Sequence, residues 1–277
     1  MHQVTIGTDP EVFFRSLSTG KFVSAHDLLP GTKHEPHMVP CGAVQVDGVA
    51  AEFNTWPAET SDEFLEFIEA VMESIRSYAS AGNCEVVIQP TAWFDEDYWE
   101  SLPDTPKLLG CTPDYDAYTG KKTPPPGTNE TFRTGAGHIH LGFTEAYDPT
   151  EKEHFQVCRD LVMQLDAVIY PTSLLWDYDQ KRRELYGRIG AFRPKFYGVE
   201  YRSVSNAYLR EKAIQRWVFE ASKFSAEEYL NRGIRFYDQA FVRDFVAQIY
   251  SGWVPEKDIV RGYLRDLNKV FGTPLFL

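Results

Sequence analysis

Strand-like and helix-like segments separate along this chain, and that separation limits its fold more than any other feature. Short runs of alternating apolar residues crowd the part before residue 145. Helical spacing dominates after it, with one strand-like return at 197–205. This order predicts an α+β chain with a largely antiparallel sheet, not an alternating α/β fold with a parallel one. Internal repeats and linkers of disordered composition are absent from the sequence, so 1–277 reads as a single domain. Its sheet spans about 3–206 and a helical segment about 207–277.

Several local signals place elements. Gln3–Ile6, Glu11–Arg15, Lys21–Ala25, Cys84–Gln89 and Gly137–Phe143 read as strands. Asp47-Gly48 falls between Ala43–Val46 and Val49–Phe53, which predicts a tight hairpin. Thr60 and Glu63 form a capping box. Behind it Phe64, Phe67, Ile68, Val71, Met72, Ile75 and Tyr78 recur at helical spacing up to Gly82. Further helices are expected at about Asp148–Tyr170, Thr172–Tyr186, Leu209–Arg232, Asp238–Ser251 and Pro255–Val270. The stretch 101–135 is rich in Pro, Gly, Thr and Asp, with Pro124–Gly127 at its centre. Tyr115, Tyr118 and Phe132 within it suggest an ordered active-site loop.

Composition narrows the function. Lys plus Arg is 28 against 40 for Asp plus Glu, a net charge of −12, which argues against nucleic acid or anionic membrane as partner. Aromatic residues at 14% argue against disorder. Cys41, Cys84, Cys111 and Cys158 are too scattered for a zinc knuckle and read as free thiols of a reducing compartment. The N-terminal residues have no signal-peptide pattern and no run is long and apolar enough for a membrane span, so the expected location is the cytoplasm.

Polar pairs at i, i+2 spacing point to one side of a strand. Four strand segments carry such a pair: Asp9 and Glu11, Glu52 and Asn54, His138 and His140, Glu200 and Arg202. Each alone also fits a plain structural role, as a turn cap, a wet hairpin face or an intra-strand neighbour pair. Together, on strands of one sheet, they suggest a metal site. Converging carboxylates repel one another, and a bound Mg²⁺ or Mn²⁺ removes that cost. Lys181, Arg182, Arg183, Arg188, Arg193 and Lys195 cluster in a chain that is acidic elsewhere, and Gly190–Lys195 reads as a loop entering the Glu200 strand. Basic side chains beside metal-binding carboxylates suit a polyphosphate. No Walker loop or dinucleotide fingerprint is present in the sequence.

Gly7–Glu11, Asp47–Asn54, Gly135–Gly142, Tyr186–Arg193 and Tyr197–Asn206 together resemble the phage COOH-NH2 ligase type 2 family. That family is similar to glutamate–cysteine ligase and, more distantly, glutamine synthetase. The resemblance implies a curved antiparallel sheet with helices on its outer face. It implies an ATP-dependent carboxylate–amine ligase that forms an amide through an acyl phosphate, releasing ADP and phosphate. The implied cofactors are ATP and two or three Mg²⁺ or Mn²⁺ ions. The implied metal ligands are Asp9, Glu11, Glu52, His138 and Glu200. The implied catalytic and phosphate-binding residues are Arg193, Lys195 and Arg202. Asn54, Arg133, His140, Arg182 and Arg183 are the substrate-side candidates. Expected partners are small-molecule or peptide carboxylates and amines, with the oligomeric state open. A metal-dependent hydrolase, or a non-catalytic nucleotide-binding phage protein on the same fold, is the alternative.

Overall fold

The computed structural model describes residues 2–107, 114–123, 131–144 and 148–274. Its strands are β1 (Thr5–Thr8), β2 (Glu11–Ser16), β3 (Phe22–Val23), β4 (His37–Val39), β5 (Gly42–Asp47), β6 (Ala50–Thr55), β7 (Cys84–Val87) and β8 (Thr91–Trp93). They continue as β9 (Asp114–Asp116), β10 (Lys122–Thr123), β11 (Phe132–Thr134), β12 (Ile139–Gly142), β13 (Ala191–Lys195) and β14 (Gly198–Tyr201). The helices are α1 (Ser61–Ala81), α2 (Glu96–Ser101), α3 (Asp104–Lys107), α4 (Lys152–Ser173), α5 (Gln180–Leu185), α6 (Lys212–Arg232), α7 (Ala240–Tyr250) and α8 (Lys257–Phe271).

One six-stranded sheet runs β1-β12-β14-β13-β9-β10, and another runs β3-β2-β6-β5-β4 with β7 on the far edge of β2. β8 and β11 form a small separate pair. Every pairing is antiparallel. β1 and β2 are two arms of one bent segment whose joint is Asp9-Pro10. Pro10 has no N–H to donate, and its carbonyl accepts from Phe53 at 3.2 Å. The bend hands the chain from one sheet to the other, so the two form one curled surface. The bridge between Ile6 and Ala58 stitches them at the crease.

Strand alternation separates the faces. Ile6, Val12, Phe14, Ala51, Phe53, Ile139, Leu141, Phe192, Val199 and Tyr201 join the main core with α1, α4 and α6. Their neighbours Glu11, Glu52, His140, Arg193 and Glu200 therefore face the opposite side. The expected α+β architecture, with a curved antiparallel sheet and helices on its outer face, is the observed one. After residue 206 the described residues are helical or irregular.

The capping box forms as expected: Thr60 Oγ1 accepts from Glu63 N at 3.2 Å, and the Glu63 carboxylate accepts from Thr60 N at 3.1 Å. The Asp47-Gly48 hairpin turn shifts by one residue. Asp47 pairs with Ala50, so Gly48 and Val49 make the turn, with Gly48 at φ +61°.

Other boundaries move for identifiable reasons. Asp148 accepts from the Thr150 amide and hydroxyl, so Asp148-Pro149 makes a turn and α4 starts only at Lys152. α4 runs on through Pro171, and the expected helix Thr172–Tyr186 shrinks to α5. The expected loop Gly190–Lys195 is largely strand β13. Pro194 is tolerated there because β9 pairs with β13 only at Ala191 and Phe192, leaving the edge at Pro194 open. The stretch 101–135 holds α3, β9, β10 and β11, not loop alone. Pro124–Gly127 and Cys111 lie outside the described residues. Cys41, Cys84 and Cys158 are free thiols. Among the described residues, no helix is long and apolar enough to cross a membrane.

Candidate active site

Register brings distant residues into line on the face away from the helices. Gly7 pairs with His140, His140 with Glu200, and Glu200 with Arg193, a row across β1, β12, β14 and β13. In the second sheet Glu11 pairs with Glu52 and Glu52 with Gln45. Asp9, at the crease, sits between the rows. The i, i+2 rule extends the first row to His138 and Arg202.

Glu200 has no exposed surface, so its charge must be met inside the protein. Lys195 Nζ is 2.6 Å from it, Arg193 Nη1 3.4 Å and His138 Nδ1 3.4 Å. Arg202 Nη1 also bonds it directly. Asp114 on β9 is the second anion of this cluster, 2.7 Å from Arg202 Nε and 3.3 Å from Arg193 Nη2. Burial, joined by the nearby Arg193 and Arg202 and opposed by Asp9, brings the Lys195 ammonium down to about 8. Burial and the neighbouring Arg202 also lower the Arg193 guanidinium. Three cations thus share two carboxylates, a setting suited to receiving more negative charge.

Carboxylates gather on the other side of Asp9. Glu52 is 7% exposed and accepts from Gln45 Nε2 at 2.7 Å. Burial, with the charges of Asp9, Asp47 and Glu11, holds its carboxyl well above the usual range. Burial and Asp47 raise Glu11 to about 7, although Glu11 Oε2 accepts from Ala136 N at 2.9 Å. Asp9 goes the opposite way. Burial raises it, but the facing His140 and His138 more than offset this and hold it well below the usual range.

Both histidines reach the same Asp9 oxygen. His138 Nδ1 lies 3.0 Å from Asp9 Oδ1, and His140 Nε2 2.9 Å from it. Each has a tyrosine at its other nitrogen: Tyr186 OH at 3.0 Å from His138 Nε2, and Tyr197 OH bonded to His140 Nδ1. Burial, with Arg202 close by, pushes the His138 imidazole down to about 3, so it is neutral. Ligand atoms of Asp9, His140 and Glu200 lie within 4.8 Å of one another. Oxygen and imidazole donors around carboxylates that are raised by burial and mutual repulsion fit a hard divalent cation.

A cavity of about 830 Å³ opens beside these groups. Asp9, Gln45, Glu52, Asn54, His140 and Tyr197 are among its walls, and among the described residues no lysine or arginine lines it. Of the substrate-side candidates, Asn54 and His140 line this cavity.

Three sequence candidates lie elsewhere. Arg182 is buried and donates to the carbonyls of Gly135, Ser203 and Val204. Arg183 pairs with Asp177 at 3.3 Å and donates to its carbonyl. Arg133 bonds the carbonyls of Phe132 and Lys107 and lies 4.3 Å from the Trp99 ring centroid. None of the three lines the cavity. A buried guanidinium needs acceptors, and backbone carbonyls supply them here. Sequence reasoning missed Asp114, Asp47, Gln45, Tyr186 and Tyr197. Gln45 carried only a misleading signal, since an Asp47-Gly48 turn would set Ala43 opposite Glu52 and the observed register sets Gln45 there. Asp114 had none, because its place depends on β9 joining the main sheet.

Residues 128–251 match the model of the family described as phage phiEco32-like COOH.NH2 ligase-type 2. The resemblance read from the motifs therefore stands over the segment that carries the His-x-His and Glu-x-Arg strands. A solved structure described as a novel glutamine synthase homolog aligns at 12% identity with a TM-score of 0.41. The alignment covers 96% of this chain, which spans only 64% of that one. No curated protein matches the chain.

Proposed function

We propose that the chain is an ATP-dependent carboxylate–amine ligase that forms an amide or peptide bond through an acyl phosphate. One observation carries the reading. Clustered carboxylates (Asp9, Glu11, Glu52) and clustered cations (Arg193, Lys195, Arg202) meet at Glu200 on one face of the sheet. The match to a COOH.NH2 ligase family supports it. A hydrolase would have use for the carboxylates and histidines but none for the cationic trio.

The roles follow from charge. Asp9, Glu11, Glu52, Glu200 and the facing imidazoles would hold two or three Mg²⁺ or Mn²⁺ ions, which offset phosphate charge when bound. Arg193, Lys195 and Arg202 grip the phosphates of ATP and stabilise the charge that builds up during transfer. A carboxylate oxygen of the donor substrate attacks the γ-phosphorus, the bond to the ADP oxygen breaks, and ADP leaves. The amine nitrogen then attacks the acyl carbon. The bond from that carbon to the phosphate oxygen breaks, inorganic phosphate departs, and the amine proton passes to a base. Asn54 and His140 face the cavity and contact the substrate. The substrates are small-molecule or peptide carboxylates and amines. The acidic net charge supports a protein with no nucleic-acid or anionic-membrane partner.

The test is a screen of carboxylate and amine pairs with ATP and Mg²⁺, reading nucleotide products and amide mass. Release of ADP and phosphate with a condensed product is expected. AMP and pyrophosphate, or condensation without ATP, would overturn the mechanism.

A further inference from the structure

We propose that Tyr186 is a positioning residue that ties the His138 imidazole on the metal side to the Arg202 guanidinium on the phosphate side. This rests on the metal-dependent reading above and adds to it a residue outside the ligand set.

The Tyr186 hydroxyl is shared. It lies 3.0 Å from His138 Nε2 and accepts from Arg202 Nη2. The other His138 nitrogen faces two carboxylates, with Asp9 Oδ1 at 3.0 Å and Glu200 Oε1 at 3.4 Å, and Arg202 Nη1 reaches it at 3.3 Å. A cation held among these groups takes the Nδ1 lone pair, which puts the imidazole proton on Nε2. A hydroxyl can serve either tautomer, donating to a bare Nε2 or accepting from Nε2–H. Tyr186 therefore keeps the ring turned towards Asp9 and Glu200 whether or not metal is bound. Outer groups of this kind tune ligand orientation and basicity. Because the same oxygen holds Arg202, the imidazole and the guanidinium share one anchor.

The anchor is itself rigid. The Arg202 guanidinium carbon lies 5.5 Å from the Tyr186 ring centroid and that of Arg182 5.7 Å. Arg182 is locked by carbonyl acceptors at 3.2, 3.2 and 2.7 Å. Gly187, immediately after the tyrosine, has φ +69°, and a Cβ there would stand 2.2 Å from Arg182 Nη1. The buried arginine is thus part of the platform under Tyr186.

The experiment titrates Mn²⁺ alone into wild type, Tyr186→Phe, His138→Gln and the double variant, following free Mn²⁺ by electron paramagnetic resonance. Phenylalanine keeps the ring and removes only the hydroxyl. Tyr186→Phe should weaken Mn²⁺ binding about tenfold or more, with the melting temperature near wild type. In the His138→Gln background it should add almost nothing, because Tyr186 acts through His138. Unchanged Mn²⁺ affinity in Tyr186→Phe, or a full further loss in the double variant, would overturn this role while leaving the ligase reading intact. Failure of wild type to bind Mn²⁺ would overturn the metal reading and this proposal with it.

Discussion

Lys195 reaches diagonally across the β13–β14 hairpin to Glu200, Nζ 2.6 Å from Oε2, and Glu200 is wholly withdrawn from solvent. Lys195, Arg193 and Arg202 all meet this one carboxylate. Removing its charge leaves Arg193 and Arg202 paired with Asp114 and takes from Lys195 its 2.6 Å partner. Glu200→Gln should therefore lose about 3 kcal/mol of stability, the scale seen when one partner of a buried pair is deleted. It should also abolish Mn²⁺ binding. Denaturant unfolding and a metal titration check both, and a variant equal to wild type in each would refute the assignment.

Glu52 should behave in the opposite sense. Burial and three neighbouring carboxylates hold it well above the usual range, so it destabilises the metal-free fold. Glu52→Gln should raise the melting temperature in EDTA, by the equivalent of about 1 kcal/mol or more. It should also lose the stabilisation that Mg²⁺ gives wild type. A drop in EDTA stability would show that the carboxylate is compensated by contacts other than a metal.

Asp166 offers a pH test away from the site. It is fully buried behind β14, accepting from Tyr201 OH at 2.7 Å and Tyr118 OH at 2.9 Å. Burial lifts its carboxyl to about 7, despite these bonds. The folded protein then holds a proton that the unfolded chain releases at about 3.9. The stability that the protonated Asp166 contributes should be lost as pH rises from about 4 to 7 and stay constant above, at most about 4 kcal/mol from this group. Asp166→Asn should flatten that slope, and identical pH profiles for the two proteins would contradict it.

Gly187 should tolerate no side chain. Its left-handed backbone and the 2.2 Å approach of a Cβ to Arg182 Nη1 act together. Gly187→Ala should lose about 2 kcal/mol or more in denaturant unfolding. Wild-type stability would mean that Arg182 can give way.

The sequence by itself determined the crowding of strands before residue 145, the capping box before α1 and the strands that carry Glu11, Glu52, His140 and Glu200. Those features are local, since alternation at period 2 and spacing at period 3.6 are written in neighbouring residues. Tertiary structure decided which polar residues meet. Nothing in the spacing of Arg182 and Arg193 distinguishes them, yet one ends among backbone carbonyls and the other beside Glu200. Asp114 and Tyr186 enter the site through strand order and a shared hydroxyl. Such partnerships depend on register between strands far apart in sequence, which a linear pattern does not encode.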